Sequence, residues 1–216
     1  MAVVRCRWRC GVMSVSTGTG SNVPSGNSWQ AVLGHSRQML ERTVVRNRWI
    51  PHTPTVRQAL FLSLPVTEAL YGGAAGGGKS DALLMAALQF VDVPGYAALL
   101  LRRSYADLAL PGAIMDRSKE WLRGTAARWH EPTKTWTFPS GATLSFGYLE
   151  AEQDKYRYQG AEFQFCGFDE LTQFSETQYR YLFSRLRKSP GLAVPLRMRA
   201  ASNPGGQGQS GCGSAS

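Results

Sequence analysis

Ten residues restrict the folds open to this chain more than any other stretch: Tyr71-Gly72-Gly73-Ala74-Ala75-Gly76-Gly77-Gly78-Lys79-Ser80. From Gly73 onward they fit G-x-x-x-x-G-K-[ST], the spacing of a phosphate-binding loop. Glycines let successive backbone N–H groups turn inward around phosphate oxygens without a Cβ in the way. The lysine reaches the β- and γ-phosphates, the serine hydroxyl holds Mg²⁺, and the helix that follows points its positive end at the same anion. Such a loop needs a strand before it and a helix after it. Val66 to Tyr71 supplies an apolar approach, and Asp81 to Val91 (DALLMAALQFV) is a strong helix former. That context favours nucleotide binding over a bare glycine turn.

At 216 residues there is room for one α/β domain with a sizeable core. The formal net charge is +9, and residues 1–60 carry eight arginines against the single acid Glu41. This balance suits a polyanionic partner, nucleic acid first. The four cysteines (Cys6, Cys10, Cys166, Cys212) form neither a metal-ligand pattern nor a disulfide framework, as expected of a reducing compartment. The basic N-terminus lacks the apolar core of a signal peptide, and no run approaches the ~20 apolar residues of a membrane span. A soluble intracellular protein is the expectation.

Composition divides the chain into three parts. Residues 1–28, basic and then rich in Ser, Thr, Gly and Asn, read as a disordered tail. Residues 29–207 hold the domain, beginning with a partly helical stretch at 29–48. Residues 208–216 form a Gly/Ser-rich end. Within the domain, Val56 to Leu62 mixes apolar and polar residues at helical spacing and contains Gln58, whose amide offers one acceptor and two donors. Tyr96 to Leu101 reads as a short strand ending in Arg102-Arg103, and residues 105–123 as an amphipathic helix broken near Pro111-Gly112. Alternating Trp136, Phe138 and Leu144, Phe146, Tyr148 flank Pro139-Ser140-Gly141, the pattern of a β-hairpin whose aromatics face the core.

The second chemical cluster is Asp169-Glu170, at the end of the apolar run Glu162 to Phe168. An Asp there can hold Mg²⁺, and the adjacent Glu can orient and deprotonate an attacking water. Such a pair also serves simply as negative charge at a helix N-terminus. Its place 89 residues after Ser80, on a strand followed by the helix Ser175 to Arg187, favours the catalytic reading. Ser175-Glu176 offers that helix a simple cap, and Arg185, Arg187 and Lys188 suit its C-terminus. A last strand, Val194 to Ala201, leads to Ser202-Asn203-Pro204.

Taken in order, Pro54-Thr55-x-x-Gln58, Gly73 to Ser80, Arg102-Arg103, Tyr158-Gln159-Gly160, Asp169-Glu170, Ser184-Arg185-Leu186-Arg187 and Ser202-Asn203-Pro204 resemble the ATPase domain of the large terminase subunit of tailed bacteriophages. The resemblance runs from about Arg48 to Gly206. It implies an α/β P-loop NTPase fold of the RecA/ASCE kind, with a mainly parallel sheet covered by helices and a β-hairpin insertion. It also implies an ATP- and Mg²⁺-dependent motor that drives double-stranded DNA into a procapsid. The implied partners are the portal protein, the small terminase subunit and further copies of the chain in a ring. The place is the host bacterial cytoplasm, with no membrane.

The same resemblance assigns roles. Gly73, Gly76, Gly77, Gly78 and Lys79 would grip the phosphates, Ser80 and Asp169 would hold Mg²⁺, Glu170 would activate water, Gln58 would read adenine and Asn203 would sense the γ-phosphate. Lys79 and Glu170 would be the catalytic pair. One departure concerns Ala75, which stands where many relatives carry an arginine, so the charge-stabilising arginine falls to Arg102, Arg103, Arg185 or Arg187. Another concerns the end of the chain. Relatives continue past Asn-Pro-Gly-Gly with a Gly-His-x-Trp-Val-like stretch and later a nuclease domain of RNase H type. A one-base deletion in a suitable codon run for His-Glu-Trp-Val-Arg-Gln-Arg-Phe yields Gln-Ser-Gly-Cys-Gly-Ser-Ala, which matches Gln209 onward. The expectation is a frameshifted tail and a chain that does not cut DNA by itself. A helicase-like ATPase and a non-catalytic remnant that binds nucleotide or DNA are the alternatives left open by the residues.

Overall fold

The structure is a computed structural model that describes residues 4–9, 12–17, 47–73 and 76–203, with side chains from residue 47 onward. Of the stretch 29–48 expected to be partly helical, residues 29–46 lie outside the described residues and 47–48 are not helical; the tail from 204 onward also lies outside. Two antiparallel strands, β1 (Val4–Arg9) and β2 (Val12–Thr17), fall within the stretch whose composition reads as disordered. The difference has a source in the sequence: Val4, Cys6 and Trp8 alternate with Arg5, Arg7 and Arg9, a period of two that composition alone does not register.

Seven strands make the main sheet: β3 (Glu68–Gly72), β4 (Ala97–Arg102), β5 (Arg128–His130), β6 (Thr135–Thr137), β7 (Thr143–Tyr148), β8 (Phe165–Asp169) and β9 (Arg197–Ser202). Their order across the sheet is β3-β9-β8-β4-β7-β6-β5. The first five run parallel, and β6 and β5 add an antiparallel edge. The expected hairpin is therefore β6–β7, with Trp136 opposite Leu144. It extends the sheet itself, because β7 also pairs in parallel with β4.

The central strands are apolar on both faces, as a covered parallel sheet requires. On β4, Ala98 and Leu100 enter one core while Leu99 and Leu101 enter the other. The first core receives α2 (Lys79–Leu88), with Leu83, Leu84 and Leu88 fully buried, and Ile114, Met115 and Leu122 of α4 (Ile114–Leu122). Phe61 and Leu62 of α1 (Val56–Ser63) pack there too. The second core holds Tyr179 and Leu182 of α5 (Glu176–Phe183) against Phe168 and Met198. Between α2 and α4, the short α3 (Tyr105–Ala109) ends where Pro111-Gly112 breaks the amphipathic stretch. Ser175 and Gln178 form a full capping box at α5, stronger than the simple cap the sequence suggested, because Gln178 stands at the third helical position.

Parallel pairing places the C-terminal ends of β3, β9, β8, β4 and β7 along one edge of the sheet, where open α/β sheets bind ligands. The strand between the glycine loop and the Asp169 strand is β9, so Asn203 emerges between the two clusters that the sequence marks as chemical.

Candidate functional site

The glycine loop leaves β3 and enters α2 through Gly78, the N-cap, at φ 66 and ψ 28. This left-handed conformation, like that of Gly76 at φ 79, is costly for residues with a Cβ. No side chain caps α2. A glycine N-cap has no side chain to offer the first N–H groups, which suits such a helix start to an anion. Lys79 is buried, and its Nζ donates to the Gly73 carbonyl at 3.1 Å, so the cation is folded back over the loop. The Tyr71 hydroxyl donates to the Gly77 carbonyl at 3.4 Å and helps fix the loop from the strand side. Ala74 and Ala75 lie outside the described residues.

Asp169 ends β8 and is nearly inaccessible, at 1 % exposure. Ser80 Oγ donates toward its Oδ1 and Oδ2 at 3.2 and 3.4 Å. Nε of Arg102, from the end of β4, donates to Oδ2 at 2.9 Å. Glu170 follows at φ 59 and ψ 58, one of two non-glycine residues with positive φ among the described residues. Strain of this kind is held where surrounding structure enforces it and is common at functional positions. Its Oε1 accepts a 3.1 Å hydrogen bond from Asn203 Nδ2. The Asn203 Oδ1 is buried with no hydrogen-bond partner among the described residues. Lys79, Ser80, Asp169, Glu170 and Asn203, separated by more than a hundred residues, are therefore one cluster along the sheet edge.

A magnesium ion fits this donor set. Mg²⁺ takes hard oxygen ligands and usually keeps several waters, binding proteins through one or two groups plus substrate phosphates. Ser80 and Asp169 offer one hydroxyl and one carboxylate already in contact. Among the described residues no group of three or more His, Cys, Asp or Glu could hold a metal by itself. The site thus suits a phosphate-bound metal rather than a protein cage.

Beside the loop lies a cleft of about 540 Å³ lined by His52, Thr55, Arg57, Gln58, Tyr71 and the glycines 76–78, among others. Sequence reasoning picked Gln58 and missed His52 and Arg57. Only their proximity in space marks them, since α1 is brought against the loop by tertiary packing. Asp81 also borders the cleft and is ion-paired with Arg117 of α4.

The four arginines proposed for charge stabilisation separate into two groups. Arg102 and Arg103 are at the site edge, Arg102 on Asp169 and Arg103 Nη1 on the Leu149 carbonyl at 3.2 Å. Arg185 and Arg187 flank Leu186, which bridges to Phe163 just before β8 begins. They lie at the other end of that strand, roughly 20 Å from Asp169 at the usual rise per residue. Arg185 stacks over Tyr181 and Arg187 stands 3.7 Å from Glu162, surface roles in both cases. The structure does not bring Arg185 and Arg187 into this chain's own site.

The family model for "Terminase large subunit, T4likevirus-type, N-terminal" matches residues 70–204. No curated protein matches the chain. Among solved structures, the large terminase of a thermophilic bacteriophage aligns with TM-score 0.52 at 16 % identity, over 79 % of this chain and 39 % of that one. The large terminase ATPase domain of Thermus phage P74-26 aligns with TM-score 0.48 at 14 % identity, over 74 % and 69 %. The same thermophilic bacteriophage's large terminase in complex with ADP gives TM-score 0.47 at 16 % identity, over 77 % and 38 %. This chain covers well under half the length of that phage's protein, and the likeness concerns the fold, a mostly parallel P-loop sheet with helices.

Proposed function

Because the chain belongs to the family of terminase large subunits, T4likevirus-type, N-terminal, we propose that it is the ATPase domain of a phage DNA-packaging motor. One observation carries the reading: the uncapped start of α2 with Lys79 and Ser80, the Asp169-Glu170 pair and Asn203 converge on one sheet edge. Phosphates would lie against the backbone N–H groups of residues 76–79, with Gly73 at the mouth of the loop. Lys79 would exchange its Gly73 carbonyl for phosphate oxygens. Ser80 and Asp169 would hold Mg²⁺, which supplies charge neutralisation of the phosphate oxygens when bound.

Glu170 would take a proton from the attacking water. Its backbone is held at positive φ, and its bond to Asn203 ties its position to the end of β9. Hydrolysis, by removing the γ-phosphate from this edge, would change what Asn203 and Glu170 can contact and so move β9. In the full motor that movement would advance double-stranded DNA through the portal protein, with the small terminase subunit and further copies of the chain in a ring, in the cytoplasm of the bacterial host. No helix among the described residues is long and apolar enough to cross a membrane.

The test is ATP hydrolysis and nucleotide binding by the purified chain with Mg²⁺, beside Lys79→Ala and Glu170→Gln. The expected result is turnover in the parent, loss of binding in the first variant and binding without turnover in the second. A parent that neither binds nor hydrolyses ATP overturns the reading. Stimulation by procapsids beyond that by DNA alone separates a packaging motor from a helicase-like ATPase.

A further inference from the structure

We infer that Gln58 acts on nucleotide through the phosphate loop, as a brace on Gly78, rather than by reading the base; the inference rests on the nucleotide-binding role of the site. Gln58 stands at the third position of α1 and completes a capping box with Thr55. Its Oε1 accepts from the Thr55 backbone N–H at 2.8 Å, so the acceptor end of the amide is held by its own helix. Its Nε2 donates to the Gly78 carbonyl at 2.9 Å, so the donor end is held by the loop. The residue is 3 % exposed, and with these two bonds both ends of the amide are held by protein.

The contact is close enough to shape the loop. A Cβ at position 78 would lie 2.7 Å from Gln58 Nε2, so glycine there serves the approach of the amide as well as the left-handed turn. Gly78 is the N-cap of α2, and its carbonyl accepts the first helical hydrogen bond, from the Ala82 N–H at 3.0 Å. Fixing that carbonyl fixes the peptide planes whose N–H groups face a phosphate. The capping box locks the glutamine in turn, so the geometry of the α1 start is transmitted to the loop. Base recognition would then fall to other exposed groups of the same cleft, such as His52 and Arg57.

A base-free probe separates a brace from a reader. Affinities for ATP, GTP and inorganic tripolyphosphate are measured by calorimetry, each with Mg²⁺, for the parent, Gln58→Ala, Gln58→Glu and Thr55→Ala. A brace predicts that Gln58→Ala weakens all three ligands by the same factor, about fivefold for the loss of one neutral hydrogen bond. Gln58→Glu keeps a capping residue on α1 but loses the donor to Gly78, and it too weakens all three together. Thr55→Ala loosens the cap while leaving the Gly78 contact, and it lowers the melting temperature with a smaller change in affinity. Unchanged tripolyphosphate affinity in either Gln58 variant, with the ATP-to-GTP preference altered, overturns the inference. Failure of the parent to bind any of the three overturns the nucleotide site itself, a separate outcome.

Discussion

Arg102 Nε donates to Asp169 Oδ2 at 2.9 Å, on the same carboxylate whose Oδ1 and Oδ2 lie 3.2 and 3.4 Å from Ser80 Oγ. The guanidinium therefore helps hold the orientation in which the carboxylate meets the serine. Carboxylates that ligate metals are commonly oriented by such outer partners, and losing one weakens metal binding about 10- to 100-fold. Arg102→Ala is expected to raise the Mg²⁺ concentration for half-maximal ATP binding by about tenfold. It should also destabilise the fold by about 2 kcal/mol, since a nearly inaccessible carboxylate loses its charged donor. Mg²⁺ titrations and urea melts measure the two effects. An unchanged Mg²⁺ requirement would reduce Arg102 to a structural counter-ion.

Glu170 has the opposite relation to stability. At φ 59 its Cβ is strained, and removing the Cβ relieves the strain. Glu170→Gly is therefore expected to be more stable than Glu170→Ala by about 1 kcal/mol, although glycine ordinarily costs stability through chain entropy. Both should lose turnover by at least about 10²-fold, the usual contribution of a general base. Equal stabilities of the two variants would show that the backbone at 170 relaxes once the carboxylate is gone.

The parts of this architecture that were legible in sequence are those written locally. Glycine spacing marks the phosphate loop, an apolar run followed by two acids marks the end of β8, and alternating aromatics mark β6–β7. Three features escaped for physical reasons. The hairpin belongs to the main sheet because β7 pairs with β4, a contact between segments some 46 residues apart that no local period encodes. Arg185 and Arg187 look suited to phosphate, but a five-residue strand stands between them and Asp169. The double engagement of Gln58 escaped because its side chain reads from sequence as a free amide; its place in the capping box and its reach to Gly78 depend on where α1 starts and how it packs.

Two buried arginines illustrate a device the sequence conceals entirely. Arg199 is fully buried in β9, and its Nη1 and Nη2 donate to the carbonyls of Thr67 at 2.8 Å, Met198 at 3.2 Å and Leu64 at 3.1 Å. Arg197 donates to the Leu62 carbonyl at 3.2 Å, and burial pushes its guanidinium down to about 10, against the opposing influence of Tyr96. The strand that leads to Asn203 is thereby fastened to the C-terminal end of the helix that carries Gln58. Arg199→Met keeps much of the apolar volume and removes the guanidinium donors from those carbonyls. It should cost about 3 kcal/mol and speed amide exchange at Met198, whose N–H donates to Thr67 at 2.7 Å. Retained exchange protection with normal stability would mean that the carbonyls find other donors.

The close approach of Tyr158 to Gly147 gives a test by rescue. A Cβ at 147 would lie 2.0 Å from the Tyr158 hydroxyl oxygen and 3.1 Å from Cζ, so an alanine there forces the ring to move. The hydroxyl donates to the Tyr148 carbonyl at 3.4 Å, and burial raises its pKa, so it stays protonated in that role at neutral pH. Gly147→Ala alone should destabilise by about 2 kcal/mol through overpacking. Tyr158→Phe alone should cost about 0.5 kcal/mol, because it gives up only a long hydrogen bond. In the double variant the phenyl ring lacks the atom that clashes worst, so the combined loss should fall below the sum by about 1 kcal/mol, as neighbouring sites that share a clash do. Thermal melts of the four proteins measure the coupling. Additive losses would show that glycine at 147 is required by the neighbouring Leu101 methyl, 3.3 Å from the same Cβ, and not by the tyrosine that opens Tyr158-Gln159-Gly160.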